Sequence, residues 1–145
     1  MGQSRLILLL ENNKAGWTEV KRCPLYTLDK LGQAIRQMDL ALTSLNIDVF
    51  ISVGGWPQFD DQLYRNLIKP LKKEIVDPIK TALVIADALP SQLKLLKEGY
   101  AHANIGQNFR AMGRLAYQYM KKLSAGKSIP KVSYTPSQIY WHKKP

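Results

Sequence analysis

Residues 80–123 alternate strand and helix with so little between them that an α/β layer is the only economical way to fold them. Thr81-Ala82-Leu83-Val84-Ile85-Ala86 is a short apolar run with β-branched content, and it stops at Asp87. Pro90 suits a first helical turn, Gln92 to Glu98 is a short helical segment, and Gly99 stands where a left-handed stop is expected. Ala103-Asn104-Ile105-Gly106-Gln107 is a second short strand. Asn108 then caps a helix with Phe109, Met112, Ala116, Met120 and Leu123 along one face. Asp87 and Gln107 are therefore polar residues at the C-terminal ends of two buried strands, the end at which open α/β sheets bind ligands.

The other elements fit the same class. Leu31, Ile35, Met38, Leu42 and Leu45 form the clearest amphipathic helical stripe, with Thr27 as its cap. Asp48 to Val53 reads as an apolar strand of the parallel kind, covered on both faces, and ends in Gly54-Gly55-Trp56-Pro57. Asp60 or Asp61 caps a helix through Leu63, Leu67 and Leu71, which Pro70 is expected to kink or end, with residues 75–80 as a polar connection. Trp17 to Cys23 alternates and reads as a strand closed by Pro24, whereas residues 4–13 suit either a buried strand or a helix. Gly126 ends the last helix, residues 132–135 and 137–141 are extended pieces, and His142 to Pro145 is a frayed tail. The fold class is an open, mainly parallel, doubly wound sheet.

The 145 residues suffice for one core, and 46% apolar content excludes a disordered chain. The longest pure apolar run, Leu6-Ile7-Leu8-Leu9-Leu10, falls far short of the roughly 20 residues that span a bilayer, and no secretory leader is legible. Cys23 is alone, which excludes an internal disulfide and reads as a small buried or strand-end residue. The net charge of +10 raises nucleic acid as a partner. The cations are scattered without interleaved aromatics, however, so a solvated surface is the better reading and no nucleic acid is expected.

Machinery for catalysis is not visible. There is no Gly-x-Ser-x-Gly elbow, no phosphate loop after Gly54-Gly55, and no spaced metal site. His102 reads as a surface or loop imidazole, and Asp60 with Asp61 as helix caps. No cofactor is called for. The remaining pattern is that of a binder. Asp87 can accept hydrogen bonds from vicinal hydroxyls or cap the following helix. Gln107 can serve a neutral polyol or tie down a loop. Trp56 offers a flat face to a sugar ring or to the core. Gly55 allows close backbone approach.

Those residues also carry a resemblance. The stretch Ile47 to Pro57, then Ala86-Asp87-Ala88-Leu89-Pro90, Leu95 to Gly99, Ile105-Gly106-Gln107, the Met112-Gly113 helix and Gly126-Lys127-Ser128-Ile129-Pro130 occur in the order found in the C-terminal part of type I periplasmic sugar-binding proteins. These proteins serve ABC transporters and share their fold with the effector domains of LacI-type regulators. The resemblance covers roughly residues 17 to 141. It implies a non-enzymatic sugar-binding function with Asp87 and Gln107 as hydrogen-bonders and Gly54, Gly55 and Trp56 shaping the pocket. It also implies a monosaccharide or polyol ligand, a membrane permease as partner and a periplasmic setting; without a leader the chain as written would stay in the cytoplasm. The alternative is a sugar-sensing LacI-type effector domain, without a DNA-binding helix-turn-helix of its own.

Two departures stand out. Relatives commonly carry Asn-Asp where this chain has Val53-Gly54, and an aromatic where it has Ala86. By length, the resemblance implies a truncated single domain. Residues 1–107 hold the second-lobe part, 108–125 a helix that crosses to the first lobe, and 126–145 the final extended segments and tail. The first lobe and the second lobe's own first strand would be missing, residues 4–13 would be the helix after that strand, and exposed surface would favour self-association.

Overall fold

The computed structural model describes Gly16, residues 18–21, 23–76 and 80–143, with the backbone alone at 74–76. Residues 4–13 and Trp17 lie outside that set. The elements run α1 (Leu31–Ser44), β1 (Val49–Ser52), a 3-10 turn (Trp56–Gln58), α2 (Asp61–Val76), β2 (Ala82–Ala86), α3 (Pro90–Lys97), β3 (Ala103–Gln107), α4 (Phe109–Ser124) and β4 (Ser137–Trp141). The sheet order is β1-β2-β3-β4. The first three strands are parallel, with Ser52 opposite Ile85 and Ala86 opposite Ile105, and β4 returns antiparallel to β3. The turns after β1, β2 and β3 therefore meet at one edge of the sheet. The mainly parallel α/β sheet is the one the sequence predicts.

Met38, Tyr64, Ile68, Leu83, Ile85 and Leu95 are fully buried and join α1, α2 and α3 to β2. Each such aliphatic side chain contributes roughly 1.5–3 kcal/mol by leaving water. The predicted stripe of α1 is present but rotated: Ala34 and Ala41 flank Met38 at the buried centre, while Ile35 and Leu42 are partly covered. Small residues let the helix approach closely, so they rather than the large ones mark its inner line. The cap of α1 is Lys30 without a side-chain bond, not Thr27, whose carbonyl instead accepts from Lys30 N. Among the described side chains of α2, Tyr64 and Ile68 are buried and Leu63 is exposed. Pro70 lies inside that helix, which continues to Val76 and takes in the start of the expected connection. Packing of Leu67, Ile68 and Leu71 on the core outweighs the lost hydrogen bond.

Among the described residues, β1 lacks full cover on both faces. It is the edge strand of the described sheet, and Ile51 and Val53 are exposed. Residues 18–20 take no regular structure and Lys21 lies in a turn, so the strand expected over 17–23 is not formed in its described part. Of the two expected extended pieces, 137–141 forms β4 and 132–135 takes no regular structure; the hydroxyls of Tyr119 and Ser133 hydrogen-bond, tying that segment to α4. None of the 16 residues of α4 is buried, and Phe109, Met112, Met120 and Leu123 are exposed. His142 is anchored rather than frayed: its amide donates to His102 O and its Nδ1 lies 2.8 Å from Leu96 O.

Candidate functional site

Asp87 leaves β2 with φ +71°, a left-handed conformation that few residues other than glycine adopt. That turn aims its carboxylate across the sheet edge. Oδ2 accepts from the Gly55 amide at 3.1 Å, and Oδ1 accepts from Gln107 Nε2 at 2.7 Å. The ends of β1, β2 and β3 are thus joined through one carboxylate. Gly55 is required there by space. A Cβ would sit 2.7 Å from Phe59 Cε1, 2.8 Å from Gln92 Nε2 and 2.9 Å from Asp87 Oδ2. Asp87 is half-buried and Gln107 exposed, so the pair faces solvent. A carboxylate offers about four acceptor sites. Two are used inside the chain, and the rest remain for hydroxyl donors.

Behind this edge lies a layer of buried amides. Gln58 Oε1 accepts from Gln92 Nε2 at 3.3 Å and from Asn104 Nδ2 at 3.0 Å. All three residues are buried. Gln58 also faces the Tyr64 hydroxyl, whose pKa is pushed up by burial, with Gln58 acting the other way. Tyr64 in turn donates to Tyr100 O at 2.7 Å.

Of the four residues singled out from sequence, Asp87, Gln107 and Gly55 come together. Trp56 does not join them. Its ring folds back over Gly54, where a Cβ would lie 2.3 Å from the ring. It lines a different feature, a groove of about 350 Å³ between β1 and residues 18–25. Its lining includes Val20, Leu25, Ile51 and Val53 together with Glu19 and Gln37. The aromatic that approaches the carboxylate edge is Phe59, exposed beside Gly55. Sequence reasoning missed it; its position three residues after Trp56, on the same turn, was the available signal.

His102 is a structural group. Its Nδ1 accepts from Leu83 N at 2.8 Å, and its amide donates to Leu83 O. Asp60 Oδ1 accepts from Leu63 N, the capping role expected of it. Among the described residues no cluster of His, Cys, Asp or Glu has the geometry for a metal ion, and no helix is long and apolar enough to cross a membrane. Cys23 is half-buried, and burial, with Glu19 second, raises its thiol pKa.

A parallel sheet whose polar groups converge at the carboxyl ends of its strands defines an α/β ligand-binding fold. The chain belongs to the periplasmic binding protein domain family, whose model matches residues 8–128. That family comprises solute-binding proteins rather than enzymes. No curated protein sequence matches the chain. Among solved structures it is similar to GanP, a glucose-galactose binding protein from Geobacillus stearothermophilus, at 20% identity and a TM-score of 0.61 over 80% of this chain. It is also similar to an ABC transporter periplasmic solute binding protein from Actinobacillus succinogenes 130z with bound D-allose, at 15% identity and a TM-score of 0.54 over 80% of this chain. The chain spans 39% of the length of each. The shared architecture is that of one lobe of such a protein.

Proposed function

We propose that the chain binds a monosaccharide or polyol as part of an ABC-type solute-uptake system, with a membrane permease as partner and the periplasm as setting. Asp87 and Gln107 are the hydrogen-bonding groups in this reading, and Gly55 shapes the site by holding the Asp87 carboxylate through its amide. Trp56 is a wall of the neighbouring groove, and Phe59 offers the apolar face that a sugar ring needs. The observation that carries the reading is the Asp87 carboxylate, held between Gly55 N and Gln107 Nε2 at the carboxyl ends of parallel strands. A carboxylate with spare acceptor sites beside an amide with a spare carbonyl matches paired hydroxyls, which both donate and accept. The family and the sugar-binding relatives support the ligand class.

In the same reading residues 1–107 belong to a second lobe, α4 with its surroundings (108–125) is the crossing element, and 126–145 closes the sheet. The exposed stripe of α4 and the place of β1 at the edge of the described sheet support this division and favour self-association when no partner covers them. Isothermal titration with D-glucose, D-galactose and D-allose tests the proposal. Saturable heat with one of them, abolished in both Asp87→Ala and Gln107→Ala, is the expected result. Heat unchanged in both variants removes these residues from the site.

A further inference from the structure

We infer that Gln92 and Asn104 are positioning residues for the Asp87 carboxylate, a role that rests on the binding proposed above. Asp87 holds a left-handed backbone conformation, which a non-glycine residue keeps only where local bonds favour it. Some contact must hold it there, and the carboxylate's own bonds are only part of the answer. The two peptide carbonyls that bracket its Cα are each taken by a buried side-chain amide. Gln92 Nε2 donates to Ala86 O at 3.1 Å, and Asn104 Nδ2 donates to Asp87 O at 3.0 Å. The Asp87 amide is fixed as well, donating to Ile105 O at 2.9 Å. Gln92 also uses its other end: Oε1 accepts from Leu89 N at 2.9 Å, which sets the start of α3 just beyond Asp87.

The two amides are coupled. Gln58 Oε1 accepts from both, and Gln58 sits on the 3-10 turn that follows Gly55. One buried cluster thus sets both the backbone that aims the carboxylate and the turn that supplies its Gly55 partner. Both amides are fully buried, so water offers no substitute when either is removed. Releasing Ala86 O or Asp87 O lets the peptide planes on either side of Asp87 rotate toward ordinary φ. The carboxylate then swings off Gly55 N. Both are buried behind the solvent edge, and they act on the site through the Asp87 backbone and through the turn that carries Gly55.

The test uses ¹⁵N-labelled full chain in the wild type, Asn104→Leu, Gln92→Met and the reference variant Asp87→Asn, with Ile68→Val as a control for general destabilisation. Two quantities are read: the shift of the Gly55 backbone amide, and affinity for D-glucose, D-galactose and D-allose. The expected result is that Asn104→Leu and Gln92→Met move the Gly55 amide toward its Asp87→Asn position and weaken sugar binding at least about tenfold. Ile68→Val should do neither. A Gly55 amide that stays at its wild-type position in both folded variants overturns the inference. If both variants fail to fold, hydrogen exchange in the wild type decides. The Gln92 and Asn104 side-chain amides should exchange as slowly as the backbone amides of Leu83 and Ile85, and exchange at the rate of exposed amides overturns the clamp. If no sugar binds the wild type, the proposed function fails while the Gly55 shift still judges the positioning.

Discussion

The Gly55 amide points at Asp87 Oδ2 across 3.1 Å, so two residues 32 positions apart lock the turn after β1 to the end of β2. No side chain larger than hydrogen fits at Gly55. Gly55→Ala places a Cβ within 3 Å of Phe59, Gln92 and Asp87 and should destabilise the chain by about 1–3 kcal/mol, the usual range for overpacking. Gly113 is the counter-case. It lies inside α4 with nothing within 4 Å of a built Cβ, so Gly113→Ala should stabilise by about 0.5–1 kcal/mol. Urea midpoints of the two variants should move in opposite directions.

Asp87→Asn keeps a side chain that tolerates left-handed backbone but has one acceptor oxygen instead of two. Gly55 N loses its charged acceptor, and Gln107 must turn its amide to meet the new Nδ2. The expected outcome is a modest stability loss of about 1–2 kcal/mol, together with loss of sugar affinity. Equilibrium unfolding and titration on the same sample check both.

His102→Phe should lower stability by about 1–3 kcal/mol, because the ring nitrogen that accepts from Leu83 N disappears and leaves that buried amide unpaired. Sugar affinity should not change, since His102 stands at the opposite end of β3 from Gln107. A variant that loses binding at unchanged stability would refute the structural role.

Acid sensitivity should come in part from the Arg65–Glu98 pair. The Arg65 guanidinium, which also bonds Asp61 Oδ1 at 2.5 Å, holds the Glu98 carboxyl below its ordinary value of 4.5, with burial opposing. A carboxyl depressed in the folded state binds fewer protons there than when unfolded. Its contribution is therefore complete above pH 4.5 and disappears as pH falls through the folded value. Arg65→Met should flatten the acid limb of a stability–pH curve measured by urea unfolding. An unchanged limb would assign the acid loss to other groups.

Much of the strand–helix–strand–helix block was legible because its signals are local. Pro90 opens α3, Gly99 and Gly126 take positive φ after their helices, and Asn108 Oδ1 accepts from Ala111 N. What was not legible depends on tertiary partners. Strand order decides that β1 is the edge of the described sheet, and nothing in the residues of β1 states it. Trp56 folds back on Gly54 because the chain reverses in a 3-10 turn, which leaves Phe59 at the site edge. Gln58, Gln92 and Asn104 look like surface residues in sequence; only their mutual bonds make their burial affordable.

The most direct test of a sugar site at Asp87 is the melting temperature of the purified chain, with and without D-glucose, D-galactose or D-allose, for wild type and Asp87→Asn, with light-scattering mass recorded alongside. Ligand at a hundredfold excess over Kd stabilises by about 2.7 kcal/mol, which raises the melting temperature of a domain this size by several degrees. A saturable rise is expected with at least one sugar in the wild type and none in Asp87→Asn. A cooperative wild-type melt that no sugar shifts, or an equal shift in the variant, would contradict it.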